Sequence, residues 1–392
     1  MATIRIRSSA GAYEVHCACG ALTRARRLIA RLGDSTGTFV VSSPRVWRFW
    51  GREVVRALGV TAKRVVLFDD SEAAKRLATV ERIARGLVRA GADRRCTVVA
   101  VGGGVVGDVA GFAAATYLRG VRVVHVPTTL VAQVDSAIGG KTGVDLPEGK
   151  NLVGAFHPPA LVIADPEMLR TLPHREYRSG LYEVIKYGII ADAKLFEFLE
   201  RRMNAVLRRD PAALDWMIPR CVAIKARVVS KDERESGLRK ILNFGHTLGH
   251  AFETATGYKR FMHGEAIACG MIAATLLATA THRLPFHDCF RVLRLIGSVG
   301  PVPDPPKIPG AELRVLLAGD KKSRGGEVRW VLPRRIGQAE WDMRLPEVLV
   351  RKTVLVLPSI IKEQRENGGD IIMGMVVRRR KNRGNREARR HR

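Results

Sequence analysis

Short valine-rich segments alternate with amphipathic segments through the first half of this 392-residue chain. Strands covered on both faces have nearly continuous apolar sequences, so we predict buried parallel strands at these segments. The alternation indicates repeated strand–helix–strand units, hence an α/β domain with a parallel sheet. The predicted strands are Phe39–Ser42, Arg64–Phe68, Thr97–Val101, Arg122–Val126 and Leu161–Ala164.

From about Arg175 the pattern changes to long helical segments with few strand signals. The predicted helices are Gly180–Phe198, Met217–Ser230, Lys240–Thr256 and Gly264–Thr281, and a proline-rich loop follows at Pro301–Pro309. We therefore predict an α/β domain over residues 1–174 and an all-α domain over 175–357. The Gly- and Arg-rich residues 358–392 are predicted to be a disordered basic tail.

The chain has a formal net charge of +28. Residues 378–392 hold nine Lys or Arg and one Glu, so this segment contributes +8 and the rest of the chain +20. A basic surface attracts nucleic acid nonspecifically and also suits an anionic substrate. Arginine used generally on solvated surfaces explains the charge equally well, and no RNP-like, zinc-finger or helix-turn-helix signature indicates specific nucleic-acid binding.

Two further features bear on location. The apolar stretch Ala266–Ala280 is shorter than the roughly 20 residues of a membrane span, so we predict a buried core helix there. No apolar run follows Arg5 and Arg7 as in a signal peptide, and the six cysteines form no pair of CxxC motifs. We therefore expect a cytoplasmic protein with reduced thiols and no thiolate zinc site.

Three consecutive glycines, Gly102 to Gly104, follow the predicted strand that begins at Thr97. Glycine lets backbone N–H groups approach a pyrophosphate, and the N-terminus of a helix starting near Val106 adds positive potential. The spacing resembles a dinucleotide fingerprint without matching GxGxxG, and a tight turn without function also explains it. A second strand leads to Gly139-Gly140-Lys141-Thr142, which lacks the spacing of a nucleotide triphosphatase loop.

Arg239, Asn243, His246 and His250 are spaced by 4, 3 and 4 residues. On a continuous helix they would share a stripe roughly 60° wide, with apolar residues covering much of the remaining surface. A zinc site with an open position needs three protein ligands. The candidates are Glu183, His246 and His263, with His250 as a competitor that spacing alone does not exclude; HExxH, the zincin signature, is absent.

With these motifs in order, the chain resembles the 3-dehydroquinate synthase family of sugar-phosphate cyclases from about Phe39 to Pro333. Its motifs agree with the family in both halves of the chain. They are Gly102–Gly104 with Asp108, Arg119-Gly120, Pro127–Thr129, Asp135–Lys141, Lys150–Leu152, Glu183–Lys186, Lys225, Asp232–Glu235 with Gly237–Arg239, Leu242–His246 and His263–Glu265.

The resemblance implies an α/β NAD-binding domain followed by a helical domain. It implies conversion of 3-deoxy-D-arabino-heptulosonate 7-phosphate to 3-dehydroquinate and phosphate in the shikimate pathway. In the family this reaction consists of transient oxidation by NAD, phosphate elimination, reduction and an internal aldol closure, so the resemblance implies a lyase. The resemblance also implies a zinc ion, with cobalt as an alternative, and a homodimer.

The resemblance also assigns site residues. Glu183, His246 and His263 would bind the metal. His250 and Glu235 would transfer protons, and Lys141 would be catalytic and meet the substrate. Further substrate contacts would be Arg119, Asp135, Asn151, Lys186, Lys225, Arg239, Asn243 and Lys321 or Lys322. NAD contacts would be Asp70, Glu72, Lys75, Gly103, Gly104, Val105, Val106, Gly107, Asp108, Thr128, Thr129, Lys150, Met168, Leu169, Arg170 and Thr171.

Departures from the family are Leu181-Tyr182 before Glu183, where many relatives have Met-Ala, and the residues after about Leu345. Three other functions compete with the main one. The first is an aminocyclitol-type cyclase acting on an uncarboxylated sugar phosphate, which the basic residues Lys225 and Arg239 disfavour. The second is a metal-dependent alcohol dehydrogenase, and the third is a basic nucleic-acid-binding protein.

Overall fold

A computed structural model describes residues 1–318 and 328–366 of the chain. These residues form two compact units, one spanning Met1–Leu242 and one beginning at Asn243. The secondary structure becomes mainly helical at His174, close to the change at 174/175 on which we based our domain boundary. That boundary stays a prediction.

The first unit contains a seven-stranded sheet in the order β1-β2-β9-β6-β5-β3-β4. All pairs are parallel except β1 with β2. The five predicted strands are confirmed, and the antiparallel pairs β1–β2 and β7–β8 were not predicted. The strands are β1 (Ala2–Ser8), β2 (Gly11–Cys17), β3 (Thr38–Ser42), β4 (Val65–Leu67), β5 (Thr97–Gly102), β6 (Arg122–Pro127), β7 (Lys141–Leu146), β8 (Gly149–Phe156) and β9 (Leu161–Ala164).

Alternate strand residues supply two separate apolar cores, one on each face of the sheet. Val98 and Ala100 of β5 pack with one core, whereas Val99 and Val101 pack with the other. Helices α3 and α4 cover the first face, and α1 and α2 cover the second. The helices of this unit are α1 (Ala25–Ala30), α2 (Pro44–Leu58), α3 (Leu77–Arg89), α4 (Gly104–Thr116), α5 (His174–Ala191), α6 (Ala193–Leu207) and α7 (Pro211–Lys231).

The single helix predicted over Gly180–Phe198 is wrong. Asp192 adopts an extended backbone with φ −154° and ends α5. Its carboxylate accepts a hydrogen bond from the N–H of Leu195, 3.1 Å away, and caps α6. The apolar periodicity runs across this cap, and for that reason the pattern alone did not reveal the break.

The second unit is mainly helical, as predicted, with one added hairpin of β10 and β11. Helix α9 is long and apolar enough to cross a membrane, but 78% of its residues are buried inside the protein. This agrees with the predicted core helix. The elements are α8 (His246–Ala255), α9 (His263–Ala280), α10 (Phe286–Ser298), α11 (Gly310–Ala318), β10 (Trp330–Arg335), β11 (Gln338–Met343) and α12 (Glu347–Glu366).

The predicted start of the disordered tail at residue 358 is wrong. Helix α12 continues through Pro358 to Glu366. Leu357, Ile361 and Gln364 are buried on it at helical spacing, and the Gln364 side chain donates to the carbonyl of Leu293 at 2.7 Å. The apolar face therefore extends the ordered chain beyond the proline. Residues 367–392, the remainder of the predicted tail, lie outside the described residues.

Candidate active site

The glycine turn joins β5 to α4 in the first unit, and α4 begins at Gly104, two residues before the predicted start. A Cβ on Gly103 would lie 2.9 Å from Cγ2 of Thr129, so the chain approaches this threonine too closely for a larger residue. The N–H of Thr128 donates to the carbonyl of Gly102 at 2.9 Å. The turn and the two threonines, all predicted NAD contacts, therefore lie side by side at a helix N-terminus suited to phosphate.

A buried lysine organises the next group of predicted cofactor residues. Lys75 Nζ donates to the carboxylate of Asp108 at 2.6 Å and to Oδ1 of Asn151 at 2.5 Å. Burial alone would lower the pKa of Lys75, but nearby carboxylates, first of all Asp108, raise it above its ordinary value. Lys150 pairs with Glu72 at 3.0 Å. Asn151, predicted to bind substrate, thus contacts the predicted NAD residue Lys75 directly and is linked through it to Asp108.

The remaining predicted NAD contacts have structural partners as well. Met168 and Leu169 are fully buried, so neither residue presents accessible surface to a ligand in this arrangement. Thr171 accepts a hydrogen bond from the indole N–H of Trp50 at 2.8 Å, and the guanidinium of Arg170 lies 4.5 Å from that ring. Asp70 pairs with Arg45 at 3.3 Å.

Asp135 lies among buried cations on a helical turn after β6. Its carboxylate accepts hydrogen bonds from Lys225 and from the hydroxyl of Tyr187, the latter at 2.9 Å. Burial favours the protonated acid, but the charges of Lys225 and Lys186 outweigh it and hold the pKa of Asp135 below its usual range. The sequence prediction that Asp135, Lys186 and Lys225 belong to one site is consistent with this grouping.

Two further ion pairs join predicted residues in the first unit. Glu183 and Lys186, one helical turn apart on α5, form an ion pair in which both side chains are buried. Lys141, at the start of β7, pairs with Glu235, whose backbone φ of 62° is in the left-handed region. Glu235 therefore occupies a strained loop position that aims its carboxylate at a half-exposed ammonium.

Asp232 holds the loop that carries Glu235 and Arg239. Its two carboxylate oxygens accept from the N–H groups of Ser236, Gly237 and Arg239 at 2.9, 2.8 and 2.9 Å. Despite burial, which opposes ionisation, these hydrogen bonds lower the pKa of Asp232 to about 2. A Cβ on Gly139, whose φ is 102°, would lie 2.7 Å from Nη2 of Arg239, so glycine leaves room for this guanidinium.

We predict that Asp232→Asn lowers the free energy of unfolding by roughly 1–3 kcal/mol, because an amide N–H₂ would face backbone N–H donors. Since folding depresses the pKa of Asp232, its contribution is present above the unfolded value of about 3.9 and is lost as the pH falls through about 2. Urea unfolding at several pH values measures both effects. Asp69→Asn is the control. The exposed Asp69 carboxylate accepts hydrogen bonds from the N–H and hydroxyl of Ser71, and its substitution should lower the free energy of unfolding by less. Equal losses would contradict the assignment.

The predicted polar stripe on one helix is wrong. Gly245 has a φ of 80° and precedes α8, while Arg239 and Asn243 lie in the 3-10 segment Leu238–Asn243. Only His246 and His250 of the four share an α-helix. Gly245 and Gly249 pack closely against α9: added Cβ atoms would lie 2.6 Å from Met271 and 2.7 Å from Ile267.

Three imidazoles cluster at the start of α8 and α9 in the second unit. The ring centroid of His246 lies 5.3 Å from that of His250 and 5.5 Å from that of His263. The centroids of His250 and His263 are 6.1 Å apart. His246 Nδ1 is 3.1 Å from the carbonyl oxygen of Phe244. Ligand atoms of His250, Glu253 and His263 lie within 4.8 Å of one another. Imidazole and carboxylate donors at this spacing suit a zinc or cobalt ion.

One predicted substrate residue, Arg119, is not joined to these groups. Arg119 is exposed, with a left-handed backbone at φ 69°, and forms no hydrogen bond or ion pair with another described residue. Lys321 and Lys322 lie outside the described residues.

Several residues that organise the site were missed from the sequence. Asp145 accepts from the N–H of Asn151 at 2.7 Å, and its own N–H donates to the carbonyl of Lys75 at 2.8 Å. Tyr187 donates a hydrogen bond to Asp135. Asp232, which the sequence offered only as part of a family motif, holds the Arg239 loop. Glu253 could have been found, since it follows His250 by three residues and His246 by seven, a spacing that repeats one helix face.

Comparison with known proteins agrees with the motifs. Models of the 3-dehydroquinate synthase N-terminal and C-terminal domains match residues 65–179 and 180–323. A 3-dehydroquinate synthase from Pelobacter propionicus is 45% identical over 339 residues, which cover 86% of this chain and 94% of that relative.

Two solved structures share the fold. A 2-deoxy-scyllo-inosose synthase complexed with carbaglucose-6-phosphate, NAD+ and Co2+ has a TM-score of 0.80 and 30% identity over 90% of this chain and 99% of its own. A 2-epi-5-epi-valiolone synthase from Streptomyces hygroscopicus, with NAD+ and Zn2+ bound, has a TM-score of 0.79 and 29% identity over 88% and 97%. The α/β fold with its helical second half is therefore that of the sugar-phosphate cyclases. Within this class, the chain belongs to the 3-dehydroquinate synthase family.

Proposed function

We propose that the chain converts 3-deoxy-D-arabino-heptulosonate 7-phosphate to 3-dehydroquinate and phosphate, using NAD and a divalent metal. The observation that carries this is the buried cationic group around Asp135, in a chain 45% identical to a 3-dehydroquinate synthase. Lysines held in a low-dielectric site attract the carboxylate and phosphate of such a substrate more strongly than surface lysines do.

For the metal, we propose Glu183, His246 and His263 as ligands and His250 as a proton-transfer group. The imidazole cluster on α8 and α9 supports this choice, because it offers nitrogen donors that zinc and cobalt both accept. When bound, the ion would polarise the substrate hydroxyl groups that it contacts and lower their pKa. His250 is adjacent to both proposed histidine ligands, from where it can take or return a proton.

For NAD, we propose that the glycine turn Gly103–Asp108, with Thr128 and Thr129, receives the pyrophosphate. Bound there, NAD would supply reversible hydride transfer, with no net oxidation of the substrate over a turnover. The buried side chain of Lys75 holds Asp108 and Asn151 in place by hydrogen bonds. Asp70, Glu72, Lys150 and Met168–Thr171 complete the proposed cofactor residues.

For the substrate, we propose that Lys186, Lys225, Arg239 and Asn243 bind its anionic and hydroxyl groups, with Arg119, Asn151 and Lys321 or Lys322 as further contacts. Asp135 neutralises part of the lysine charge and holds the Lys225 amine by a hydrogen bond, whereas the Lys186 amine pairs with Glu183. Glu235 and Lys141, already paired, can exchange a proton with the substrate. We further propose a cytoplasmic homodimer, with nonspecific nucleic-acid binding limited to the basic tail.

A second candidate is a cyclase acting on an uncarboxylated sugar phosphate, which the shared fold of 2-deoxy-scyllo-inosose synthase favours. Phosphate release is measured with 3-deoxy-D-arabino-heptulosonate 7-phosphate and, separately, with glucose 6-phosphate, each with NAD and cobalt. We expect turnover of the first only. Turnover of glucose 6-phosphate alone would overturn our proposal in favour of the second candidate, and net NADH accumulation with a simple alcohol would favour an alcohol dehydrogenase.

We predict that kcat/KM falls as the pH rises through about 8. Burial, only partly opposed by Asp135, lowers the pKa of Lys225 to about 8. Above that pH the amine is neutral and attracts the anionic substrate less, with a loss of about tenfold for each further pH unit. Lys225→Arg keeps its charge, so its alkaline limb should move to higher pH even if its maximal rate is lower. An alkaline limb that is identical in the two proteins would contradict this role.

A further inference from the structure

One buried carboxylate contacts an imidazole of the cluster. Both carboxylate oxygens of Glu253, near the end of α8, lie 3.4 Å from Nδ1 of His263, the first residue of α9. The Glu253 side chain is only 7% exposed, whereas that of His263 is 41% exposed. A fixed acceptor therefore contacts a ring that solvent would otherwise leave free to turn.

His246 is held by the same kind of contact. Its Nδ1 lies 3.1 Å from the carbonyl oxygen of Phe244, just before α8 begins. Each of these two imidazoles therefore directs Nδ1 to an oxygen and Nε2 to the opposite side of its ring. Histidines that bind a metal through one nitrogen generally donate the N–H of the other to a carbonyl or carboxylate. The two rings, with centroids 5.5 Å apart, repeat that arrangement.

We propose that Glu253 is a positioning residue: it fixes the Nδ1–H tautomer of His263 and so presents Nε2 as the metal-binding atom. This inference rests on the proposed role of His263 as a ligand. The negative charge of Glu253 also makes the His263 ring a better electron donor to the ion. The carbonyl of Phe244 does the same for His246 without a side chain, so only the His263 half of the arrangement can be removed by substitution.

The test measures zinc affinity by competition with a chromophoric chelator, without substrate. Glu253→Ala should weaken zinc binding by about 10–100-fold, and Glu253→Gln, which retains an acceptor oxygen, should weaken it less. In a sample labelled with ¹⁵N at histidine, ring nitrogen shifts should show an Nδ1–H His263 in the unsubstituted protein and a mixture of tautomers in Glu253→Ala.

Glu265→Gln is the matched control. Glu265 is also buried near the start of α9, but it accepts from the N–H of Met262 at 2.9 Å, a bond that glutamine can keep. We expect its zinc affinity to be unchanged. Equal weakening in Glu265→Gln would assign the effect to general charge, and unchanged affinity or an unchanged tautomer in Glu253→Ala would overturn the proposal.

Two outcomes separate this inference from the function on which it rests. If Glu253→Ala removes zinc as completely as His263→Ala, Glu253 is a direct ligand with His250 and His263, and the positioning role is wrong. If His263→Ala binds zinc as tightly as the unsubstituted protein, the proposed ligand set fails, and the role of Glu253 fails with it.

Discussion

Replacing His246 with alanine is expected to remove tightly bound zinc and reduce phosphate release below detection, whereas His250→Ala should keep the zinc and lose turnover. The two residues share one face of α8, and their rings are 5.3 Å apart. The proposed roles differ, however: His246 would donate an electron pair to the ion, and His250 would move a proton. Loss of a metal ligand removes both affinity and activity, while loss of an acid–base group leaves affinity intact.

The metal content of His246→Ala and His250→Ala is measured after dialysis, and their activity is measured as phosphate release with added zinc. Circular dichroism checks that both variants are folded, because His246 is buried at the start of α8. If His250→Ala loses zinc while His246→Ala retains it, the roles are reversed. The alternative ligand set of His250, Glu253 and His263 would then be favoured.

Replacing Lys75 with methionine is expected to lower the free energy of unfolding by about 3 kcal/mol and to weaken NAD binding severely. Lys75 is 5% exposed and donates to both Asp108 and Asn151, so methionine would leave two polar groups without their shared donor. Removing one partner of a buried ion pair leaves an uncompensated charge, which costs more than the pair itself contributes. Asp108 would then shift at the turn proposed to receive the pyrophosphate.

Lys150→Met is the matched control for that variant. Lys150 pairs with Glu72 at 3.0 Å, but both side chains are about a third or more exposed, so the pair contributes roughly 0–1 kcal/mol. Because Lys150 is itself a proposed NAD contact, this control applies to stability, which urea unfolding compares. Fluorescence titration with NAD compares the affinity of Lys75→Met with that of the unsubstituted protein. Equal destabilisation by the two substitutions would show that Lys75 does not organise the turn.

The sheet could be predicted from sequence because its strands are buried on both faces. Val98 to Val101 supply both apolar cores, so the segment is apolar throughout and stands out from its neighbours. Strand β1 was missed because Ile4 and Ile6 alternate with Arg5 and Arg7, which leaves no continuous apolar run. Edge strands with one covered face carry a weaker signal than central ones.

Helix boundaries were predicted less well than helix positions. Apolar periodicity continues across Asp192 and Gly245, although an extended cap ends one helix and a left-handed glycine precedes the other. At Pro358 the helical domain was predicted to end too early. Leu357 and Ile361 are buried on either side of the proline, and α12 continues through it. Local backbone signals compete with tertiary packing at such positions, and only the fold decides between them.

The candidate site was predicted as a set of residues, but its internal contacts were not. The motifs identified Asp135, Lys186 and Lys225, yet no spacing revealed that Tyr187 also donates to the Asp135 carboxylate. Asn151 appeared among substrate residues, whereas the structure bonds it to Lys75. Such pairings join residues distant in sequence and depend on how strands and loops converge, which spacing along one segment does not encode.

The central claim is that one bound NAD supports many turnovers of a metal-dependent lyase. The most direct measurement follows phosphate release from 3-deoxy-D-arabino-heptulosonate 7-phosphate with NAD far below the substrate concentration, with and without a chelator. We predict many phosphates released for each NAD, no lasting NADH, and activity that the chelator abolishes and zinc or cobalt restores. Phosphate release limited to one per NAD, or unaffected by removal of the metal, would contradict this account.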